Sequence, residues 1–307
     1  MPITEEMKKL LLQKGITGVS DPNGKVRIYC ETREDAEKLL MEMPEVKVAG
    51  ISYEVEPIVS GRFFALQSRT EKWRTAPGGV SIGHPLVTGG TLGAVLYDNT
   101  GRKVILSNNH ILAASNQGKI GDKILQPAKY DGGTDADAIA TLYKFVELKQ
   151  DGNLVDAALA LPLSDNLVSE DILGIGTPTG FGTAVEGMHV KKSGRTTGVT
   201  EGTVFDTKAT IKVYGYPWGY STFEDQIIIT PAMMEAGDSG CVILDDSNRI
   251  VGLGFAGSDK FAVANKIQYV VSMLGLSERG VAPTSPSLGA VGLLLLFALF
   301  GYLTLGR

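Results

Sequence analysis

From about residue 63 onward the chain is written as short apolar runs cut by glycine and turn-forming residues, and this punctuation limits the fold more than any other feature. Candidate strands fall at 91–97, 103–107, 123–126, 138–143, 154–161, 189–192, 202–205, 210–214, 225–230, 241–244 and 250–255. Glycine, 38 of 307 residues, supplies the tight turns that many short strands require. About eleven such strands suit one or two closed barrels. The stretch 163–187, rich in glycine, proline and polar residues, divides them into two sets. One helical pattern, 265–274, follows the last strand and is expected on the outside.

Residues 1–62 read differently, with helical and extended patterns alternating at 4–13, 25–30, 33–43 and 53–59. This predicts a small α/β domain. Thr32 stands three residues before Asp35, so each side chain is placed to satisfy the other's free backbone N–H, and a helix is expected from Arg33. A structural or targeting role and an inhibitory or chaperoning role both stay open for this unit. Residues 63–276 form the second predicted domain, 277–287 a linker that ends in a Pro/Ser/Thr-rich stretch, and 288–305 an uncharged stretch of 18 residues. That is the length of a short membrane span, with a buried helix or an apolar tail as the alternative.

The net charge of −5 and the lack of a dense Lys/Arg stripe argue against a nucleic-acid partner. Two cysteines, Cys30 and Cys241, give no disulfide framework and mildly favour a reducing compartment. Three scattered histidines lack the spacing of a zinc site, so neither metal nor cofactor is expected. The first fifteen residues carry charges throughout and do not read as a secretory signal.

The string Glu235-Ala236-Gly237-Asp238-Ser239-Gly240 sets a serine between a carboxylate and a glycine, with another glycine two residues earlier. Such a bend exposes a hydroxyl while backbone N–H groups converge nearby, with Gly237 and Ser239 as the donors. A hydroxyl is a poor nucleophile at neutral pH and needs a base, for which histidine is suited. His110 lies where a strand gives way to a helical turn, whereas His84, in a loop, and His189, opening a strand, read as solvated or core residues. Asp156 interrupts the apolar run Leu154-Val155-Asp156-Ala157-Ala158-Leu159-Ala160, and a buried carboxylate there demands a partner. Asp137, in a more polar and turn-like setting, is the runner-up.

In this order His110, Asp156 and Ser239 resemble the triad of the chymotrypsin-like serine proteases. The segment Lys192-Ser193-Gly194-Arg195-Thr196-Thr197-Gly198 is similar to the opening of the second barrel in bacterial members like the streptogrisins. Leu106-Ser107-Asn108-Asn109-His110 resembles a bacterial and plant branch in which an α/β segment precedes the barrels. The resemblance spans about residues 80 to 275. It implies a mainly β fold of two packed six-stranded antiparallel barrels of the trypsin-like kind, here preceded by the small α/β domain and followed by the apolar C-terminal stretch. It also implies His110 as general base, Asp156 as its orienter, Ser239 as nucleophile, and Gly237 with Ser239 as oxyanion donors. Asp238 then needs an internal cation, with Lys192 the first choice and Arg195 the second. Met233 matches the floor of the primary pocket, and Phe255, Ala256 and Gly257 match the strand edge that holds substrate backbone, which points to an apolar residue at the cleaved position. Phe255 stands where many relatives place a serine that supports the buried aspartate, which leaves the tuning of Asp156 open.

The expected activity is therefore serine endopeptidase action on a polypeptide substrate. The alternatives are a catalytically silent peptide-binding or scaffold protein and a protease limited to self-processing near 58–64 or 280–287. If 288–305 inserts in a membrane, the protease domain is expected on the cytoplasmic face; a soluble cytoplasmic protein is the alternative.

Overall fold

The computed structural model describes residues 5–20, 25–48, 50–62 and 67–277. The predicted span at 288–305 and nearly all of the linker before it lie outside the described residues; among those described, no helix is long and apolar enough to cross a membrane. Contacts divide the chain into two units, Met1–Gln67 and Ser68–Arg307.

In the first unit the strands Ile16–Ser20, Lys25–Cys30, Ile51–Val59 and Glu45–Val48 lie in that order in one sheet. Lys25–Cys30 runs parallel to Ile51–Val59, and the other two pairings are antiparallel. The parallel pair needs a crossover, which contains the helix Arg33–Glu42. That helix starts as its sequence predicts, with Thr32 Oγ1 accepting from the Asp35 N–H and Asp35 accepting from the Thr32 N–H. Val26, Ile28 and Cys30 alternate with exposed residues and pack against Met7, Leu10, Ala36 and Leu39. Lys25–Glu54 and Arg27–Glu56 ion pairs join neighbouring strands.

In the second unit one six-stranded sheet runs Lys123–Leu125, Ala138–Phe145, Ala158–Pro162, Lys103–Ser107, Ala94–Asp98, Leu276–Ser277, all antiparallel. A second set closes on itself: Arg249–Gly257, Val242–Asp245, His189–Gly194, Gly198–Tyr216, Gly219–Thr230 and Ala262–Lys266, which pairs back onto Arg249–Gly257. The strand Gly180–Phe181 adds in parallel beside Arg249.

Period-two alternation explains why the central strands are apolar throughout. Ile105, Ala158 and Ala160 face the interior of the first sheet, while Val104, Leu106, Ala157 and Leu159 face a second cluster shared with Val242, Leu244 and Leu253 of the other barrel. Ile243 and Val251 turn instead into the interior of the second barrel. Both faces are therefore removed from water, at about 1.5–3 kcal/mol for each large side chain buried. Gly93 marks the closest approach, since a Cβ there would collide with the carbonyl oxygens of Gly240 and Leu106.

Several local expectations are corrected. The run 154–161 is strand only from Ala158, because the backbone of Asp156 is bonded to side chains rather than to a ladder. The separate runs 202–205 and 210–214 are one 19-residue strand, Gly198–Tyr216, whose polar middle holds register shifts rather than a turn. The predicted strand 91–97 is broken at Leu92 and Gly93. The helix predicted at 265–274 begins at Ile267, since Ala262–Lys266 is the strand that closes the barrel. The connection 163–187 contains a strand, Val168–Ile172, parallel to Ala76–Gly78.

Candidate active site

The helical turn Asn109–Leu112 follows directly on the strand Lys103–Ser107 and carries His110. Its Nδ1 lies 2.7 Å from Asp156 Oδ2, and its backbone N–H donates to Asp156 Oδ1 at 3.1 Å. Asp156 is fully buried. Its own backbone is pinned on both sides: the N–H donates to Asn265 Oδ1 at 2.9 Å, and the carbonyl accepts from Asn108 Nδ2 at 2.7 Å. Asn265 is fixed in turn by Gln226, which donates to Leu154 O.

Burial alone would raise the Asp156 carboxyl, but the charge and hydrogen bonds of His110, with the Tyr216 hydroxyl, outweigh it and hold the group below the ordinary carboxylate range. An ionised carboxylate can only accept. Nδ1 of His110 must therefore be the donor, which leaves Nε2 with its lone pair free to take a proton.

Ser239 lies on the turn that enters the strand Val242–Asp245. Its Oγ donates to Phe255 O at 3.3 Å, and among the described residues no hydrogen bond links it to His110. The two are nonetheless on adjoining segments, since a Cβ on Gly90 would stand 2.6 Å from Ile111 Cδ1 and 2.8 Å from Ser239 O. Among the described residues the backbone N–H groups of Gly237 and Ser239 donate to nothing in the protein. Gly237 has φ +99°, a conformation that glycine adopts without strain.

Thr91, fully buried on the first barrel, anchors this turn from across the seam. Its N–H donates to Ser239 O at 2.8 Å and its hydroxyl to Gly237 O at 2.9 Å. Behind the turn, Asp238 and Lys192 are both fully buried and pair at 3.1 Å. Lys192 spends its three protons on Asp238, Thr197 Oγ1 and Gly198 O. Asp238 also accepts from the N–H groups of Glu235, Thr196 and Thr197 and from the Thr197 hydroxyl. Burial pushes its carboxyl up, but these donors and the lysine charge hold it below the ordinary range. Arg195 goes elsewhere, forking onto Asp131 beside the Tyr130 ring.

Met233 is buried in the core of the second barrel, and its carbonyl accepts from Thr200. Beside it Met234 crowds Gly254, where a Cβ would stand 2.7 Å from the thioether sulfur. Pairing of Arg249–Gly257 with Val242–Asp245 ends at Leu253. Phe255, Ala256 and Gly257 thus continue past their partner on the side of Ser239, with Phe255 buried and Gly257 exposed.

The other candidates are accounted for structurally. Asp137 accepts from Thr134 and pairs with Lys72 and Arg74, with no imidazole among these partners. His84 is a satisfied core residue, bonded to Asp122 and to the Leu86 N–H, and His189 is exposed beside Asp246. Cys241 is a buried core residue whose thiol burial pushes up to about 12. Sequence reasoning missed Thr91, Asn265, Met234 and above all Tyr216, whose hydroxyl donates to Asp156 Oδ2 at 2.7 Å. The available signal was the aromatic and turn-rich string Tyr214-Gly215-Tyr216-Pro217-Trp218-Gly219-Tyr220.

No family model matches the chain, and no curated protein does. Solved structures do. A serine protease described as specific for glutamic acid, with a histidine triad in substrate binding, is 18% identical, over 66% of this chain and 98% of its own, at a TM-score of 0.50. Nocardiopsis protease is 20% identical over 67% of this chain and 99% of its own, at 0.49. Thermobifida fusca protease A is 20% identical over 66% and 97%, at 0.48. The six-stranded sheet and the closed second barrel, matched over nearly the whole of the first of these structures, have the trypsin-like fold of the chymotrypsin-like serine proteases.

Proposed function

We propose that the chain is a serine endopeptidase working through an acyl-enzyme, with His110, Asp156 and Ser239 as its triad. The observation that carries the reading is the 2.7 Å contact of His110 Nδ1 with a buried, ionised Asp156, which fixes the tautomer a general base needs. The reading requires the Ser239 hydroxyl to leave its long bond to Phe255 O for one to His110 Nε2. The hydroxyl proton passes to Nε2 as Oγ attacks the scissile carbonyl, and the N–H groups of Gly237 and Ser239 receive the oxyanion. The imidazolium then gives its proton to the leaving amine, and water repeats the sequence on the ester.

The free edge at 255–257 is suited to strand addition by a polypeptide substrate. If the buried Met233 forms the floor of the primary pocket, as the resemblance implies, an apolar residue is expected at the cleaved position. Glutamate specificity through a histidine triad, as described for the similar structure, is not available here: apart from His110, the chain has only His84 and His189, held by Asp122 and Asp246. The Ser239–Phe255 hydrogen bond is the observation that favours the second reading, a silent peptide-binding module.

A fluorophosphonate probe separates the two. The wild-type chain should label on Ser239, while Ser239→Ala should not label and His110→Ala should label slower by orders of magnitude. An unlabelled wild type, or undiminished labelling of His110→Ala, would overturn the endopeptidase reading.

A further inference from the structure

The strands Gly198–Tyr216 and Gly219–Thr230 form a hairpin whose turn, at Pro217 and Trp218, reaches the buried side of the triad. Most of the hairpin's outer face is solvated, with Phe205 and Tyr214 exposed, yet Tyr216 is only 7% exposed. Its ring stacks on Trp218 at 5.8 Å, packs on Phe223 at 5.9 Å and meets the His110 ring edge-on at 6.4 Å. Phe223 rests in turn on Phe255 at 4.6 Å, so the position a supporting serine would hold is filled by an aromatic stack. That stack sets one polar atom, the Tyr216 hydroxyl, 2.7 Å from the same Asp156 oxygen that faces His110 Nδ1.

We infer that Tyr216 is a positioning residue of the triad, which fixes the Asp156 carboxylate by a hydrogen bond from the second barrel and moderates the charge that His110 faces. The inference rests on the endopeptidase reading for its role and on the geometry alone for its contact. A carboxylate held only by His110 can rotate with the imidazole. Three donors in different directions, the His110 N–H, its Nδ1–H and the Tyr216 hydroxyl, fix both oxygens. The titratable groups facing Tyr216 are Asp156 and His110, and the remaining ring contacts named, Trp218 and Phe223, are uncharged.

Tyr216→Phe keeps the stack and removes only the donor. The carboxylate then carries more of its charge toward His110, so the acid limb of kcat/KM should move to higher pH by about half a unit. With the imidazole less firmly held, kcat should fall about 10-fold with KM little changed. Tyr214→Phe, on the exposed face, should alter neither. A readout independent of turnover is the low-field proton resonance of His110 Nδ1–H. It should be present in the wild type, move downfield in Tyr216→Phe and vanish in Asp156→Asn. If this resonance and its pH midpoint are the same in wild type and Tyr216→Phe, the inference is wrong, whether or not the chain cleaves peptides. A wild type that shows the shift in this comparison but takes up no fluorophosphonate would leave Tyr216 in its place and defeat the endopeptidase reading instead.

Discussion

Asp156 and Asp238 are both fully buried carboxylates at the seam of the two barrels, and they are neutralised in different ways. Asp238 has a permanent cation, Lys192, and three backbone N–H groups, none of which changes charge in the neutral range. Among the described residues Asp156 has no permanent cation: its donors are His110, which gains charge only on taking a proton, and the Tyr216 hydroxyl. The first arrangement is suited to holding a turn in one shape. The second leaves an unbalanced buried charge that is relieved when His110 becomes an imidazolium, which is the state acyl transfer passes through. Under the proposed endopeptidase function, equal burial serves architecture in one place and chemistry in the other.

The sharpest way to break this contrast is to remove each partner. Lys192→Met strands a fully buried carboxylate and should cost about 3–5 kcal/mol of unfolding free energy in urea titrations. His110→Ala leaves Asp156 the Tyr216 hydroxyl and the residue-110 N–H, and should cost no more than about 2 kcal/mol while slowing catalysis by orders of magnitude. Equal losses of stability would erase the distinction. A smaller effect is expected at the anchor from the first barrel. Thr91→Val leaves Gly237 O and the Arg195 N–H without their hydroxyl partner and should cost about 1–3 kcal/mol, with slower fluorophosphonate labelling of Ser239. Labelling at the wild-type rate would show that the turn keeps its shape without Thr91.

Acid should produce the most gradual change. Asp98 is pushed up by burial but brought down to about 2 by Thr100 and Arg102, and Asp137 is held at about 2 by Lys72 and Thr134. These folded-state values lie below the unfolded value of about 3.9, as do those of Asp156 and Asp238, so between these limits the unfolded chain binds more protons. The stabilisation is complete above about pH 5 and is lost as pH falls toward 2. Tm should be level from pH 7 to 5 and then decline; a level Tm down to pH 2.5 would contradict the assignment of these carboxylates.

How much was legible differs between backbone and contacts. The Thr32–Asp35 cap was readable because both partners lie within one turn of chain. The strand 103–107 was readable because two-sided burial writes itself as the apolar run Val104-Ile105-Leu106. Asp156 stood out for the converse reason, as a charge inside such a run. The long strand of the hairpin was not readable as one element, since the polar Asp206-Thr207-Lys208 between two alternating runs has the composition of a turn.

By itself, then, the sequence determined the barrels and the residue types able to do acyl-transfer chemistry, because turn glycines and apolar alternation act over a few residues. Only the tertiary structure decided that Lys192 rather than Arg195 serves Asp238, and that Tyr216, sixty residues from Asp156, completes its shell. A buried carboxylate takes whatever donors the turns of two separate barrels bring within about 3 Å, and no local pattern encodes where those turns meet.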